Sequence, residues 1–136
     1  MTEETDKAMD LAVGMTAEKT VTVLPEQTAQ AMGSGRSPVL ATPALVALME
    51  AAAQQLIDAH LPDGWESVGI GISLSHETMT PVGMQVTVKA VLTAVEEKTL
   101  MFAVSAEDER GLAGQGVHKR TLARTRTLAR MLRRKQ

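Results

Sequence analysis

The chain has 136 residues, of which 44% are apolar and 22% charged, and its formal net charge is −2. These values predict one globular domain with a hydrophobic core. The sequence contains no cysteine, which excludes a disulfide framework, a thiolate metal site and a cysteine nucleophile, and makes the cytoplasm the expected compartment.

The charges are distributed unevenly along the chain. Residues 1–109 carry all 16 acidic residues and 5 of the 14 Lys and Arg, so 110–136 carry the other 9 bases and no acid. This cationic segment fits a nucleic-acid contact, a contact to nucleotide phosphates, or a solvated surface. It lacks interleaved aromatic residues, and no apolar run approaches the roughly 20 residues of a membrane span, so neither a nucleic-acid nor a membrane partner is predicted.

The first half of the chain predicts one strand, one loop and one long helix. Residues 1–12 are predicted to be a flexible leader, and a strand is predicted at 16–24 because its residues alternate over 20–24. The segment 25–41 is rich in Pro, Gly and Ser, which indicates a loop with one helical turn that could cover a site. Strong helix formers after Thr42 and Pro43 predict a helix over 43–60.

The second half predicts an antiparallel sheet. Four strands are expected, at 67–79, 84–95, 99–107 and 115–124, followed by a short basic helix. The predicted helix is apolar on every side except at Glu50 over its first eleven residues, which favours a helix buried all round. The predicted fold class is therefore α+β, with a curved antiparallel sheet wrapped around one long central helix. The long first strand of this sheet would be protected by edge-to-edge pairing in a homodimer.

Glu50 and His76 are the first candidates for chemistry. The helical neighbours of Glu50 are nearly all apolar, which predicts a buried carboxylate placed for proton transfer. The alternative is a carboxylate that pairs with a Lys or Arg or reaches solvent at a dimer interface. His76 shares strand parity with the apolar residues Val68, Ile70, Ile72 and Leu74. This predicts that its imidazole points inward and could face Glu50. The alternative for His76 is a core histidine with both nitrogens bonded.

Thr42 and two glycines have structural and functional interpretations as well. Thr42 is expected to be the helix N-cap, and its hydroxyl would also lie where the helix dipole favours developing negative charge. Gly69 and Gly71 either let a ligand approach the backbone or mark a bulge. Three scattered histidines without cysteine give no metal-ligand spacing, so neither a metal nor a cofactor is predicted.

Four segments together resemble a known family. They are VLATPALVALMEAAA (39–53), SVGIGISLSHETMTPVG (67–83), the strand at 84–94 and GQGVHKR (114–120). In these segments the chain is similar to the hotdog-fold thioesterases of the fluoroacetyl-CoA thioesterase type. The resemblance spans a single domain over 13–130 and leaves 131–136 as a basic C-terminal end.

The resemblance implies an acyl-CoA thioesterase that cleaves a short or medium acyl thioester as a homodimer, with pairing into tetramers left open. Thr42, Glu50 and His76 would be catalytic, Gly69 would contact the acyl thioester and Arg120 the coenzyme A portion. His118 would have a structural role. The competing interpretations are a non-catalytic acyl-CoA-binding module and, on the same fold, a hydratase.

The sequence departs from that family in the loop over 25–41. Members selective for fluoroacetyl-CoA carry phenylalanines in this lid, whereas 25–41 contains no aromatic residue. Selectivity for fluoroacetyl-CoA is therefore not expected, and the acyl group is left open.

Overall fold

The computed structural model describes residues 10–136. The strands are β1 (Thr16–Thr22), β2 (Trp65–His76), β3 (Gln85–Glu96), β4 (Thr99–Asp108) and β5 (Gly111–Arg124). The helices are α1 (Ala29–Met32), α2 (Thr42–Asp58) and α3 (Thr125–Arg134), and a 3-10 turn occupies Pro25–Gln27.

One five-stranded sheet forms the body of the domain. Its order is β1-β3-β4-β5-β2, and every neighbouring pair is antiparallel. Helix α2 packs on one face of the sheet, where Leu45, Met49, Leu92 and Phe102 have no exposed surface. The predicted α+β architecture with one long helix on a curved antiparallel sheet is confirmed.

Helix α2 is not buried all round, and that prediction is wrong for the protomer. Its core side carries Leu45 and Met49, but Pro43, Ala47 and Gln54 along the opposite side are exposed. The reason is that a single sheet covers only one side of a helix. Small and apolar residues on the other side leave α2 with a surface that a second protein chain could cover.

A β-bulge changes the direction of the side chains along β2. The register with β5 shifts between Gly69 and Gly71, which leaves Ile70 as an extra residue, and Ile70 is 53% exposed. The inward set therefore consists of odd-numbered residues before the bulge and even-numbered residues after it. The prediction that Val68 and Ile70 share the inner face with His76 was therefore wrong, although His76 itself, after the bulge, does point inward.

The ends of the described chain also differ from the expected boundaries. Residues 1–9 of the predicted leader lie outside the described residues, whereas Leu11 is buried in the core. The Gly14 N–H donates to the Leu92 carbonyl at 2.8 Å, so the ordered chain joins β3 before β1 begins. The predicted basic helix is α3. Within residues 10–136 no helix has the length and apolar character needed to cross a membrane.

The close approach of β2 and β5 gives a testable prediction about stability. A Cβ at Gly116 would overlap the Ser73 carbonyl oxygen, whereas a Cβ at Gly71 would meet only the Lys119 side chain at 3.9 Å. Gly116→Ala should lower the free energy of unfolding by about 1–3 kcal/mol because the strands must move apart. Gly71→Ala, the matched control, should cost less than about 1 kcal/mol. Urea unfolding at fixed protein concentration measures both, and equal losses would contradict the close packing at Gly116.

Candidate active site

Thr42 and His76 form a hydrogen-bonded pair. Thr42 is the first residue of α2, and its Oγ1 lies 2.8 Å from His76 Nδ1. The N-cap of α2 is Ala41, and no side chain of the described residues donates or accepts a capping hydrogen bond there. The predicted N-cap role of Thr42 is therefore wrong, and its hydroxyl contacts the imidazole instead.

The second nitrogen of His76 is enclosed but unpaired. Nε2 has almost no solvent contact and no hydrogen-bond partner among residues 10–136. Burial lowers the pKa of His76 from its ordinary value of 6.5, which favours the neutral imidazole at pH 7. In the tautomer with the proton on Nε2, Nδ1 accepts from the Thr42 hydroxyl and can take up its proton.

Glu50 belongs to a second group of polar residues. Its Oε2 lies so close to Gly69 that a Cβ on that residue would overlap it, and Oε2 is 3.6 Å from Arg120 Nη1. The Glu50 side chain is 43% exposed. The expectation of a buried carboxylate is wrong for the protomer, and the alternative of pairing with a cation describes what is seen.

Arg120 lies inside the protein and not at its surface. The residue is 5% exposed, and its Nε donates to Ser67 Oγ at 2.9 Å while Nη2 donates to the Ser67 carbonyl at 3.1 Å. Burial lowers the pKa of Arg120, and the neighbouring Glu50 carboxylate raises it. A buried guanidinium needs such partners because an unpaired charge in the interior is costly.

Ser67 is a polar residue of this group that no sequence motif singles out. Its position two residues before Gly69, on the inner face ahead of the bulge, was the available signal. That signal depends on knowing where the bulge lies, because regular alternation through His76 assigns Ser67 to the outer face.

A single chain does not bring the two groups together. Thr42 and Glu50 are eight residues apart on α2, which corresponds to about 12 Å of helix rise. Gly69 and His76 are separated by most of the second half of β2, which amounts to about 20 Å of extended chain. The protomer thus holds the Thr42–His76 pair at one end of β2 and the Glu50–Arg120 pair near its middle.

The donor set does not resemble a metal site. Among residues 10–136 no three His, Asp or Glu side chains are grouped so that they could hold a metal ion. The available chemistry consists of a hydroxyl beside a neutral imidazole, and a carboxylate beside a guanidinium. These groups can accept, donate and orient protons, which is what acyl transfer requires.

Comparisons with solved structures define the fold class. A hot-dog-like protein from Thermanaerovibrio acidaminovorans superposes with a TM-score of 0.87 at 20% identity, over 98% of this chain and 97% of that chain. A solved fluoroacetyl-CoA thioesterase is 32% identical, with a TM-score of 0.86, and the match covers 93% of this chain and 98% of that chain. The domain has the hotdog fold.

Sequence comparison places the chain within that fold. The family model described as fluoroacetyl-CoA-specific thioesterase matches residues 23–125, and the chain belongs to this family. A curated fluoroacetyl-CoA thioesterase from Streptantibioticus cattleyicolor is 39% identical over 84 residues. This alignment spans 62% of this chain and 60% of that relative.

The protonation state of His76 can be measured directly. Because burial lowers the pKa of His76, its Cε1–H resonance should titrate with a midpoint below the ordinary value of 6.5. Proton NMR across a pH series measures this midpoint, and His76→Gln assigns the resonance by its loss. A midpoint above 6.5 would mean that the folded protein stabilises the protonated imidazole. That result would contradict the assignment of His76 as a neutral hydrogen-bond acceptor.

Proposed function

We propose that this protein hydrolyses short or medium acyl-CoA thioesters to a carboxylate and free coenzyme A, using Thr42, Glu50 and His76. The observation that carries the proposal is the 2.8 Å contact between Thr42 Oγ1 and His76 Nδ1. A threonine hydroxyl is a weak nucleophile at neutral pH unless a base is positioned to take its proton. The thioester hydrolases to which this chain is related make an acyl thioester the fitting substrate.

We infer that each site is formed by two copies of the chain. The separations along α2 and β2 prevent the Thr42–His76 pair and Glu50 from meeting one substrate carbon within a protomer. Among residues 10–136 strand β2 lies at the edge of the sheet and pairs with β5 alone, so its other edge is available to pair with β2 of a second copy. Antiparallel pairing across that edge would bring the His76 end of one β2 toward the middle of the other, beside Glu50 and Gly69.

The exposed side of α2 supports the same arrangement. Pro43, Ala47 and Gln54 lie along the side of the helix that the protomer leaves uncovered. Two α2 helices placed on either side of a β2–β2 junction would cover these exposed residues and shield Glu50 from water. In this arrangement the Glu50 side chain is partly exposed in the isolated protomer and becomes buried when the dimer forms.

The reaction can be written with these groups alone. Thr42 Oγ attacks the thioester carbon while His76 Nδ1 takes the hydroxyl proton. The C–S bond breaks, and the thiolate leaves with the proton from the imidazolium. Water then attacks the acyl-threonine ester while Glu50 accepts one of its protons. The protonated Glu50 passes this proton to the departing Thr42 Oγ, which restores both groups, and the product acid loses its remaining proton to solvent as the carboxylate. A water molecule oriented by Thr42 would need the same base and the same carboxylate.

Gly69 provides space for the substrate in this scheme. A side chain at this position would overlap the Glu50 carboxylate and approach His118 Cε1 at 3.2 Å. Only glycine leaves both the carboxylate in place and room for an acyl thioester beside it. Arg120, which is 5% exposed, forms an ion pair with Glu50 from the interior of the protein.

The loop over 25–41 sets the limits of the substrate assignment. It contains the 3-10 turn and α1, and its end is fixed by the Leu40 N–H, which donates to the Thr80 carbonyl at 2.8 Å. No aromatic residue lies in it, so we do not assign the fluoroacetyl selectivity that the name of the family describes.

We place the reaction in the cytoplasm, where a chain without cysteine and its coenzyme A thioester would both occur.

Thiol release from a panel of acyl-CoAs of increasing chain length tests the proposal. Wild-type protein should turn over at least one member, and His76→Ala and Glu50→Ala should each lower kcat/KM by about 100-fold or more, because each removes a proton-transfer or charge-stabilising group. His60→Ala is the matched control, since His60 is exposed outside these groups. If wild type released thiol no faster than these variants from every thioester, the chain would be a binding module and not an enzyme.

A further inference from the structure

A series of buried polar contacts connects the β2 bulge to the Glu50 carboxylate. His118 is 2% exposed, and its Nδ1 lies 2.8 Å from the Gly71 carbonyl oxygen. Its Nε2 lies 3.1 Å from Arg120 Nη1. Arg120 in turn lies beside Glu50 at 3.6 Å.

The partners of His118 determine which of its nitrogens carries a proton. A carbonyl oxygen only accepts hydrogen bonds, so Nδ1 must be the donor to Gly71. A guanidinium only donates, so Nε2 must be the acceptor from Arg120. Both contacts can form only when His118 is neutral, with its proton on Nδ1. Burial, the largest effect, and the Arg120 charge lower the pKa of His118, while the Gly71 contact and Glu50 raise it, and the net direction is downward.

Packing fixes the plane of the His118 ring as well. The ring stacks on Phe102 with a centroid distance of 5.9 Å and an interplanar angle of 29°. In the register of the sheet His118 is paired with Phe102 on β4 and with Ile72 on β2. The imidazole is therefore held by an aromatic ring on one side and by hydrogen bonds at both nitrogens.

These contacts leave the Arg120 guanidinium a single orientation. Ser67 accepts from Nε and Nη2, and His118 accepts from one hydrogen of Nη1. The remaining Nη1 hydrogen is available for Glu50 Oε2 at 3.6 Å. Because the guanidinium is planar and rigid, three fixed contacts on its other donors determine where this hydrogen points.

We propose that His118 is a positioning residue that holds Arg120 against Glu50, and so sets the orientation of the Glu50 carboxylate during thioester hydrolysis. This inference rests on the function proposed above. It assigns Arg120 to the support of Glu50, which differs from the coenzyme A contact that the family resemblance implies. An arginine with all of its nitrogens engaged in the interior would have to break these contacts in order to bind a phosphate.

Two substitutions of similar size separate the contacts of His118. The side-chain amide of His118→Gln can place its oxygen near the position of Nε2 and accept from Arg120. The shorter His118→Asn can donate to Gly71 but does not reach Arg120. Because a displaced carboxylate loses its alignment with the reacting atoms, His118→Asn should lower kcat by at least about tenfold, with KM for acyl-CoA within about twofold of wild type. His118→Gln should retain kcat within about threefold of wild type, by the same reasoning about alignment.

Steady-state thiol release, with thermal unfolding to confirm that each variant folds, gives the required measurements. Ser67→Ala removes the acceptor for Arg120 Nε on the opposite side and should give the same selective loss of kcat, so it serves as the second variant if His118→Asn does not fold. Equal kcat values for His118→Asn and His118→Gln would overturn the proposal, as would an increase in KM with unchanged kcat, which would make Arg120 a substrate contact. A wild-type protein without turnover would instead refute the proposed function.

Discussion

The bulge at Ile70 is the constraint on which the candidate site depends. A regular strand would present residues of one parity to α2, so Ser67 and Gly69 could not share a face with His76. The extra residue between Gly69 and Gly71 reverses the parity midway along β2. One strand therefore supplies Gly69, which packs against Glu50, in its middle and His76, the hydrogen-bond partner of Thr42, at its end.

The same bulge also connects the backbone to the polar interior. At the bulge the Gly71 carbonyl accepts from His118, which lies on the neighbouring strand β5. The two glycines on either side of Ile70 have separate uses. Gly69 leaves space for the Glu50 carboxylate, whereas Gly71 contributes its carbonyl oxygen and has ordinary packing around the position of a Cβ. Of the two interpretations that the sequence allows for these glycines, a substrate approach and a bulge, the bulge is present.

Burial acts differently on the two groups of the site. It lowers the pKa values of His76 and His118, which keeps both imidazoles neutral and able to accept hydrogen bonds. Arg120 stays cationic in the interior because Ser67 and Glu50 supply acceptors for it. A neutral base beside a hydroxyl and an ion pair beside a glycine are thus arranged within one small domain.

Local patterns in the sequence predicted the elements of the fold well. The helix expected at 43–60 is observed at Thr42–Asp58, and the strand expected at 84–95 is observed at Gln85–Glu96. Strong helix formers and clean alternation fix such elements without help from the rest of the chain. The family resemblance supplied the pattern of site residues, which local periodicity alone could not identify as a site.

The features that local patterns missed depend on contacts between distant residues. Thr42 carries the signature of an N-cap, yet its hydroxyl bonds His76, which lies 34 residues further along the chain. Glu50 was expected to be buried because its helical neighbours are apolar, but exposure depends on which side of α2 the sheet covers. The role of Ser67 depends on an Arg120 that the sheet register brings beside it.

The central claim is that Thr42 and His76 of one protomer act with Glu50 of another, and mixed dimers test it most directly. Inactive Glu50→Ala and His76→Ala proteins are unfolded, mixed in equal amounts and refolded together, and thiol release is then measured. In a shared site each mixed dimer contains one intact set of residues, so the mixture should recover about a quarter of wild-type activity. A mixture of Thr42→Ala and His76→Ala, which lie in the same half-site, should recover none. If the Glu50→Ala and His76→Ala mixture is no more active than either protein alone while forming mixed dimers, the site lies within one chain and the account is wrong.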